Sequence, residues 1–337
     1  MSEMSTWLPV AWIGILGIAV AAYVVLDGFD LGLGILFPFS KDEVHRDVMM
    51  NTVAPFWDGN ETWLVLGGGG LFVAFPLAYA TILPAVYIPI IVMLLALVFR
   101  GVAFEYRWVA KPHHAVWDVA FAGGSIIAAF TQGIVLGTLL QGIPVEGTKF
   151  AGGPLDWLAP FPLFVGVSVV IGYALLGATW LVMKTEGEVA ADARARAKWL
   201  IVAVVIAMGI VSIWTPLVFE RIAVRWFSWP NIVYLAPVPI LTGVVALACW
   251  QGLQTGREVQ PFAASVGLFL LGFAGLAISN LPYIVPPSIT VWQAAAPPAS
   301  QLFMLVGTAI MLPIILGYTA LTYWTFRGKV RHGQGYH

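Results

Sequence analysis

Long apolar runs broken by short polar connections dominate this chain. Nine runs stand out, at about residues 7–36, 52–77, 80–104, 116–140, 160–183, 199–218, 232–253, 261–281 and 301–326. Each approaches or exceeds the roughly 20 residues that a helix needs to cross a hydrocarbon core. The first is free of charge from Trp7 to Leu26. No basic segment or small-residue cleavage site accompanies it, so it reads as a retained helix and not a secretory signal. The second run is the least regular, because Pro55, Asp58 and Glu61 interrupt it and Gly67 to Gly70 carry no side chains. In a soluble protein four glycines would suggest a flexible linker. Between two apolar stretches they predict close helix packing through small residues.

Composition sharpens that picture. Hydrophobic residues make up 60% of the chain and charged residues 10%, where about a quarter charged is usual for soluble domains. So few charges cannot cover a water-soluble globule of this length. Disorder is excluded too, since it requires low hydrophobicity and high charge. The net charge of −1 leaves no footprint for nucleic acid. A lone cysteine, Cys249, rules out an internal disulfide and a thiolate cluster. The expected fold is an all-α polytopic membrane protein.

With nine spans the connections alternate between two faces. One face collects Lys41, Arg46, Arg100, Arg107, Lys111, Lys184, Arg194, Arg196, Lys198, Arg257, Arg327, Lys329 and Arg331, whereas the other holds only Lys149, Arg221 and Arg225. Basic residues mark the cytoplasmic face, which predicts a cytoplasmic C-terminus and an external N-terminus. Eight spans would scatter the same residues over both faces. The Pro/Gly-rich stretch 141–159 is the expected outer loop, and the charged, amphipathic stretch 184–198 an inner one. They divide the chain into a first four-span unit, residues 1–141, and a second unit, residues 142–337, of five spans with a short polar tail. That tail, Arg327–His337, carries no organelle-targeting or lipidation signal.

Charged residues within spans are costly and turn toward the bundle interior. Asp27 and Asp30 fall near the end of the first span, Asp58 and Glu61 at the start of the second. Each pair has i,i+3 spacing and shares a helix face. Arg100 and Glu105 close the third span and Asp118 opens the fourth. The topology therefore gathers seven charged groups in the cytoplasmic half of the first unit, with no counterpart in the second. Two readings remain open. Arg100 neutralises one or two carboxylates and the group only orients helices, or the carboxylates form a proton relay or water-filled inlet. Asp58 is the foremost candidate for the second, because Pro55 and Gly59 loosen the helix around it and Trp57, Asn60 and Trp63 surround it with polar or amphipathic groups.

Other chemistry is missing from the pattern. The histidines are His45, His113, His114, His332 and His337, all in expected loops or the tail. No span offers the paired imidazoles that hold a b-type haem. Adjacent His113 and His114 read as a solvated pair rather than a metal site, and the isolated span methionines read as packing. No phosphate-cradling motif is present. Several of the 15 Trp sit near span ends, where aromatic belts form.

The first hundred residues closely resemble subunit II of the cytochrome bd-type quinol oxidases. Three blocks carry the resemblance in order: Leu26-Asp27-Gly28-Phe29-Asp30-Leu31-Gly32, then Ala54 through Leu64 (APFWDGNETWL) with Gly68 through Pro76, then Phe99 through Arg107 (FRGVAFEYR). Leu140-Gln141-Gly142 and Asn280-Leu281-Pro282 are similar to the family as well, and the short form resembles its cyanide-insensitive branch. The resemblance implies nine helices as two four-helix bundles plus a peripheral helix. It implies a heterodimer with a homologous subunit I that holds two b haems and one d haem, oxidises quinol and reduces O2 to water. No haem is expected on this chain. A small single-span subunit and a quinone or lipid are further partners that it admits. In the family the aspartate of the Trp-Asp-Gly motif belongs to a proton pathway from the cytoplasm, which maps to Asp58. Glu61, Asp27 and Asp30 are read with it, while Arg100, Glu105, Asp118 and Trp57 take electrostatic or structural roles. The rival from another class is a proton- or ion-coupled secondary transporter. Such transporters repeat their broken helices in both halves, whereas here the polar group is confined to one.

Overall fold

The computed structural model describes residues 3–110 and 114–331. His113, His332 and His337, and with them the His113–His114 pair, lie outside or partly outside the described residues. The chain is almost wholly helical. In order it forms α1 (Glu3–Leu36), α2 (Glu43–Asn51), α3 (Trp57–Ala74), α4 (Pro76–Val109), α5 (Ala115–Gln141), a hairpin of β1 (Val145–Glu146) and β2 (Lys149–Phe150), and α6 (Pro160–Lys184). It continues with α7 (Gly187–Val218), α8 (Glu220–Phe227), α9 (Asn231–Leu235), α10 (Pro237–Gln254) and α11 (Val259–Asn280). A second hairpin of β3 (Tyr283–Val285) and β4 (Ile289–Thr290), α12 (Val291–Ala294) and α13 (Pro298–Thr325) complete it.

Among the described residues eight helical segments are long and apolar enough to cross a membrane by length and composition. The irregular second run supplies a further helix, α3. Its 18 residues reach about 27 Å at 1.5 Å per residue, and it lies antiparallel to α1. Leu16 meets Gly70, Val20 meets Gly67 and Asp30 meets Asn60. The four glycines are helical, and only part of the run does the packing expected of it. A Cβ on Gly70 would lie 2.5 Å from Leu16, whereas Gly68 and Gly69 face open space.

Helices α1, α3, α4 and α5 form one four-helix group, and α6, α7, α10 and α11 a second. The largest apolar cluster joins both, running from Phe29 on α1 through Leu175 and Trp180 on α6 to Leu268 on α11. Glycines set the closest approaches. A Cβ on Gly32 would fall 1.9 Å from the Tyr173 carbonyl oxygen, and one on Gly177 2.5 Å from the Gly32 carbonyl carbon. Without side chains there, the α1 and α6 backbones touch. Gly133 and Gly166 do the same between α5 and α6. Helix α13 is peripheral, packing mainly against α1 and α3, and Gln301 is its only buried residue. Helix α4 kinks at Val86 (φ −129°, ψ 21°). Pro89 has no N–H to offer the carbonyl four residues back.

The structure revises two expected loops. Residues 40–51 contain helix α2, so His45 is helical, although the helix is far too short to cross a membrane. Most of 184–198 belongs to α7, which begins at Gly187 (φ +63°) with Glu188 in its first turn. A carboxylate there suits the positive end of the helix.

Several of the basic residues expected on one face meet at one end of the bundle. Lys41 bridges to Glu188 (3.4 Å) and Asp192 (3.5 Å); the Glu188 bond, first, and Asp192 hold its ammonium above the usual value. Arg196 donates to the Phe39 carbonyl, Arg194 to carbonyls at 252–257, Lys329 pairs with Glu258 and Arg331 with Glu186. At the opposite end Arg221 and Arg225 of the amphipathic α8 cap the carbonyls of Leu140 and Leu281.

Candidate functional site

The site is built on the last turns of α1, the first turns of α3 and the last third of α4. Arg100 on α4 is fully buried and faces Asp27 at 3.1 Å (Nη2–Oδ1). Asp30 lies 4.0 Å away and Glu61 3.5 Å away (Nη1–Oε2). Asp27 and Asp30 are fully buried, and the Glu61 side chain is 30% exposed. Three elements are needed, because each contributes charge of one sign only and none could bury it alone. Helix α5 closes the back: Gly124 leaves room for the Arg100 backbone, with a virtual Cβ 3.1 Å from the Arg100 nitrogen. Below the guanidinium, the Phe104 ring sits 5.6 Å from its carbon, and Trp57 stacks on Phe104 at 4.7 Å and 4°. Trp57 is thus the aromatic floor of the site.

Asp58 stands elsewhere. It occupies the first turn of α3 with an exposed side chain and makes no ion pair with Arg100. It lies one turn before Glu61, so the two define a line from the exposed start of α3 to the buried arginine. Glu105 is exposed on α4 and does not join the cluster. Asp118 belongs to a separate network: it accepts from Arg107 at 2.6 Å and Arg46 at 3.1 Å. Arg107, fully buried, also reaches Asp47 at 2.5 Å. The seven expected groups therefore resolve into one site around Arg100, a structural ion-pair network around Arg107, and two exposed acids.

Sequence reasoning named Asn60 only as a polar neighbour of Asp58 and missed Tyr23, Gln132 and Tyr173. Asn60 is 2% exposed and donates to Asp30 Oδ2 at 2.8 Å and the Leu26 carbonyl at 3.2 Å. Tyr23, one turn before Asp27, accepts from Gln132 at 2.6 Å, and Gln132 accepts from Tyr173 at 2.8 Å. The i,i+4 step from Tyr23 to Asp27 was legible in the sequence; the Gln132 and Tyr173 partners, over a hundred residues away, were not. Among the described residues no group of three or more His, Cys, Asp or Glu could hold a metal ion.

A multi-pass helical bundle with a buried arginine–carboxylate site at the basic end of its first four helices is the class that this fold and site define. The chain belongs to the family of cytochrome bd terminal oxidase subunit II, whose model matches residues 8–326. It is 30% identical over 359 residues to cytochrome bd-I ubiquinol oxidase subunit 2 of Escherichia coli strain K12, covering 95% of this chain and 94% of that one. Cytochrome bd ubiquinol oxidase subunit 2 of Bacillus subtilis strain 168 is 30% identical over 333 residues, covering 96% and 97%. A chain of the bd oxidase structure from Geobacillus thermodenitrificans shares the fold, with a TM-score of 0.74 at 17% identity over 95% of this chain and 98% of that chain. This is accordingly a multi-pass membrane subunit of a bacterial terminal oxidase, an enzyme complex that uses haem and includes a subunit I. Family membership displaces the transporter reading.

Proposed function

We propose that this chain is the haem-free subunit of a quinol:O2 oxidoreductase, supporting a homologous haem-bearing subunit I and admitting protons to it from the cytoplasm. The observation that carries the reading is the Arg100 site. One guanidinium faces three carboxyls whose exposure falls inward from Glu61 to Asp27 and Asp30, with Asp58 exposed at the entrance. One positive charge cannot balance three carboxylates in a low-dielectric interior, and a set of acids in excess of bases is suited to taking up and passing on protons. Oxygen reduction consumes protons, so a charge-separating oxidase must draw them through protein.

The division of labour follows from ligands. Haem chemistry belongs to axial histidine, methionine or thiolate ligands. His45 lies in the short α2 and His114 precedes α5, so neither projects from a span toward a second imidazole. Among the described residues no histidine projects from a span, and on this reading two b haems and one d haem are assigned to subunit I, with quinol as reductant. A small single-span subunit, and a quinone or lipid against this chain, complete the set of partners. The basic end is assigned to the cytoplasm, which places the N-terminus outside and the C-terminus inside. Residues 1–141 form the unit that carries the inlet and 142–337 the unit that supports it.

The test is Asp58→Asn in the assembled oxidase. An amide has nearly the carboxylate shape but cannot titrate. Oxygen consumption per haem should fall on the order of tenfold or more, at least about 1.4 kcal/mol of added barrier, with haem content unchanged. Asp58→Glu should retain more activity. Normal turnover per haem in the Asn variant, or a loss of haem alone, would remove Asp58 from the path.

A further inference from the structure

We propose that Tyr323, near the basic end of the peripheral helix α13, is a positioning residue for the acid cluster: its phenol holds Asn60, and Asn60 holds Asp30. The contacts form one chain. Tyr323 donates its hydroxyl hydrogen to Asn60 Oδ1 at 2.9 Å. Asn60 donates from Nδ2 to Asp30 Oδ2 at 2.8 Å and to the Leu26 carbonyl at 3.2 Å. Two acceptors on the Nδ2 side leave the amide one sensible orientation, with Oδ1 toward α13, where the phenol is the donor that satisfies it. Asp30 lies 4.0 Å from Arg100, so Asn60 and not the arginine is its nearer partner.

The rest of α13 is built to hold that phenol in place. None of its most apolar stretch is buried, and polar contacts tie it down at both ends. At the far end Gln301 donates to the Ala74 carbonyl at 3.1 Å and accepts at its own backbone oxygen from Trp12 at 3.1 Å. At the basic end the Tyr323 ring stacks on Phe56 at 4.5 Å and 21°. Just beyond, Lys184 donates to the carbonyls of Phe326 at 2.5 Å and Gly328 at 2.7 Å, while Val330 N–H donates to the Lys184 carbonyl at 2.8 Å. The lysine caps the last turn of α13 with charge of the favourable sign. A helix that buries so little of itself is thus anchored where the Tyr323 hydroxyl meets Asn60.

The inference rests on the proton-inlet reading, and its test separates the two. In the whole oxidase complex, redox-induced infrared difference spectra identify the carboxyl band of Asp30 by its loss in Asp30→Asn, or by its displacement in Asp30→Glu should the first not assemble. Tyr323→Phe keeps the ring on Phe56 and deletes only the hydroxyl. It should displace the Asp30 band and lower O2 consumption per haem about three- to tenfold. Asn60→Ala should displace the same band, and the double variant should be no slower than Asn60→Ala alone, because Tyr323 acts through Asn60. An unmoved band in Tyr323→Phe, or a double variant slower by the product of the single effects, overturns the proposal. A displaced band with normal turnover in both Tyr323→Phe and Asp30→Asn sustains the link and overturns the inlet instead.

Discussion

Arg100 shows how much one residue can control. It stands among three carboxyls in a fully buried position, where removing one partner of an ion pair leaves uncompensated charge at a cost of about 3–5 kcal/mol. Arg100→Gln should therefore reduce assembled complex severely. Arg100→Lys should recover part of it, because a point charge on a flexible stem cannot meet three acids as a planar fork does. Haem absorbance of the membranes, set against immunodetection of this chain, reads both; full assembly of the Gln variant would show that the acids are already neutral. In the sequence Arg100, Asp27, Asp30 and Glu61 were legible as charges in apolar runs. The separation of Asp118 into the Arg107 network was not, because it depends on α2 bringing Arg46 and Asp47 across the ends of α4 and α5.

At the scale of elements, backbone contact between helices decides which small residues matter. Gly32 has no room for even a methyl group, whereas Gly68 opens onto free space in this chain. Gly32→Ala should destabilise the α1–α6 contact by about 1–3 kcal/mol and lower the apparent melting temperature of the purified complex. Gly68→Ala should leave it unchanged unless subunit I lies against that face, and a thermal-shift series on the two variants distinguishes them. Equal shifts would show that helix propensity and not packing governs both. The glycine run announced close packing, but which glycines pack is a matter of helical phase against α1.

The whole molecule has an arrangement that charge alone predicts. Since the basic residues collect at one end, a reporter fused behind the chain should read as cytoplasmic and one within 142–154 as external. Finding both on one face would mean that α3 does not cross. The chain produced without subunit I should lack Soret absorbance, as the haem ligands are assigned to the partner. A stoichiometric haem spectrum from the isolated chain would overturn that assignment.

The order of spans, their membrane class and the basic end were determined by the chain alone, because hydrophobicity and charge act locally and need no knowledge of neighbours. The motif blocks through Asp27, Asp58 and Arg100 likewise point to the family by themselves. Tertiary structure decided what those residues touch. Asp58 stands outside the cluster its motif suggested, Asn60 enters it, and Tyr323 reaches it from 263 residues away in sequence. Such contacts are invisible to periodicity, because a hydrogen bond depends on distances of about 3 Å, and only the packed helices bring the two side chains that close.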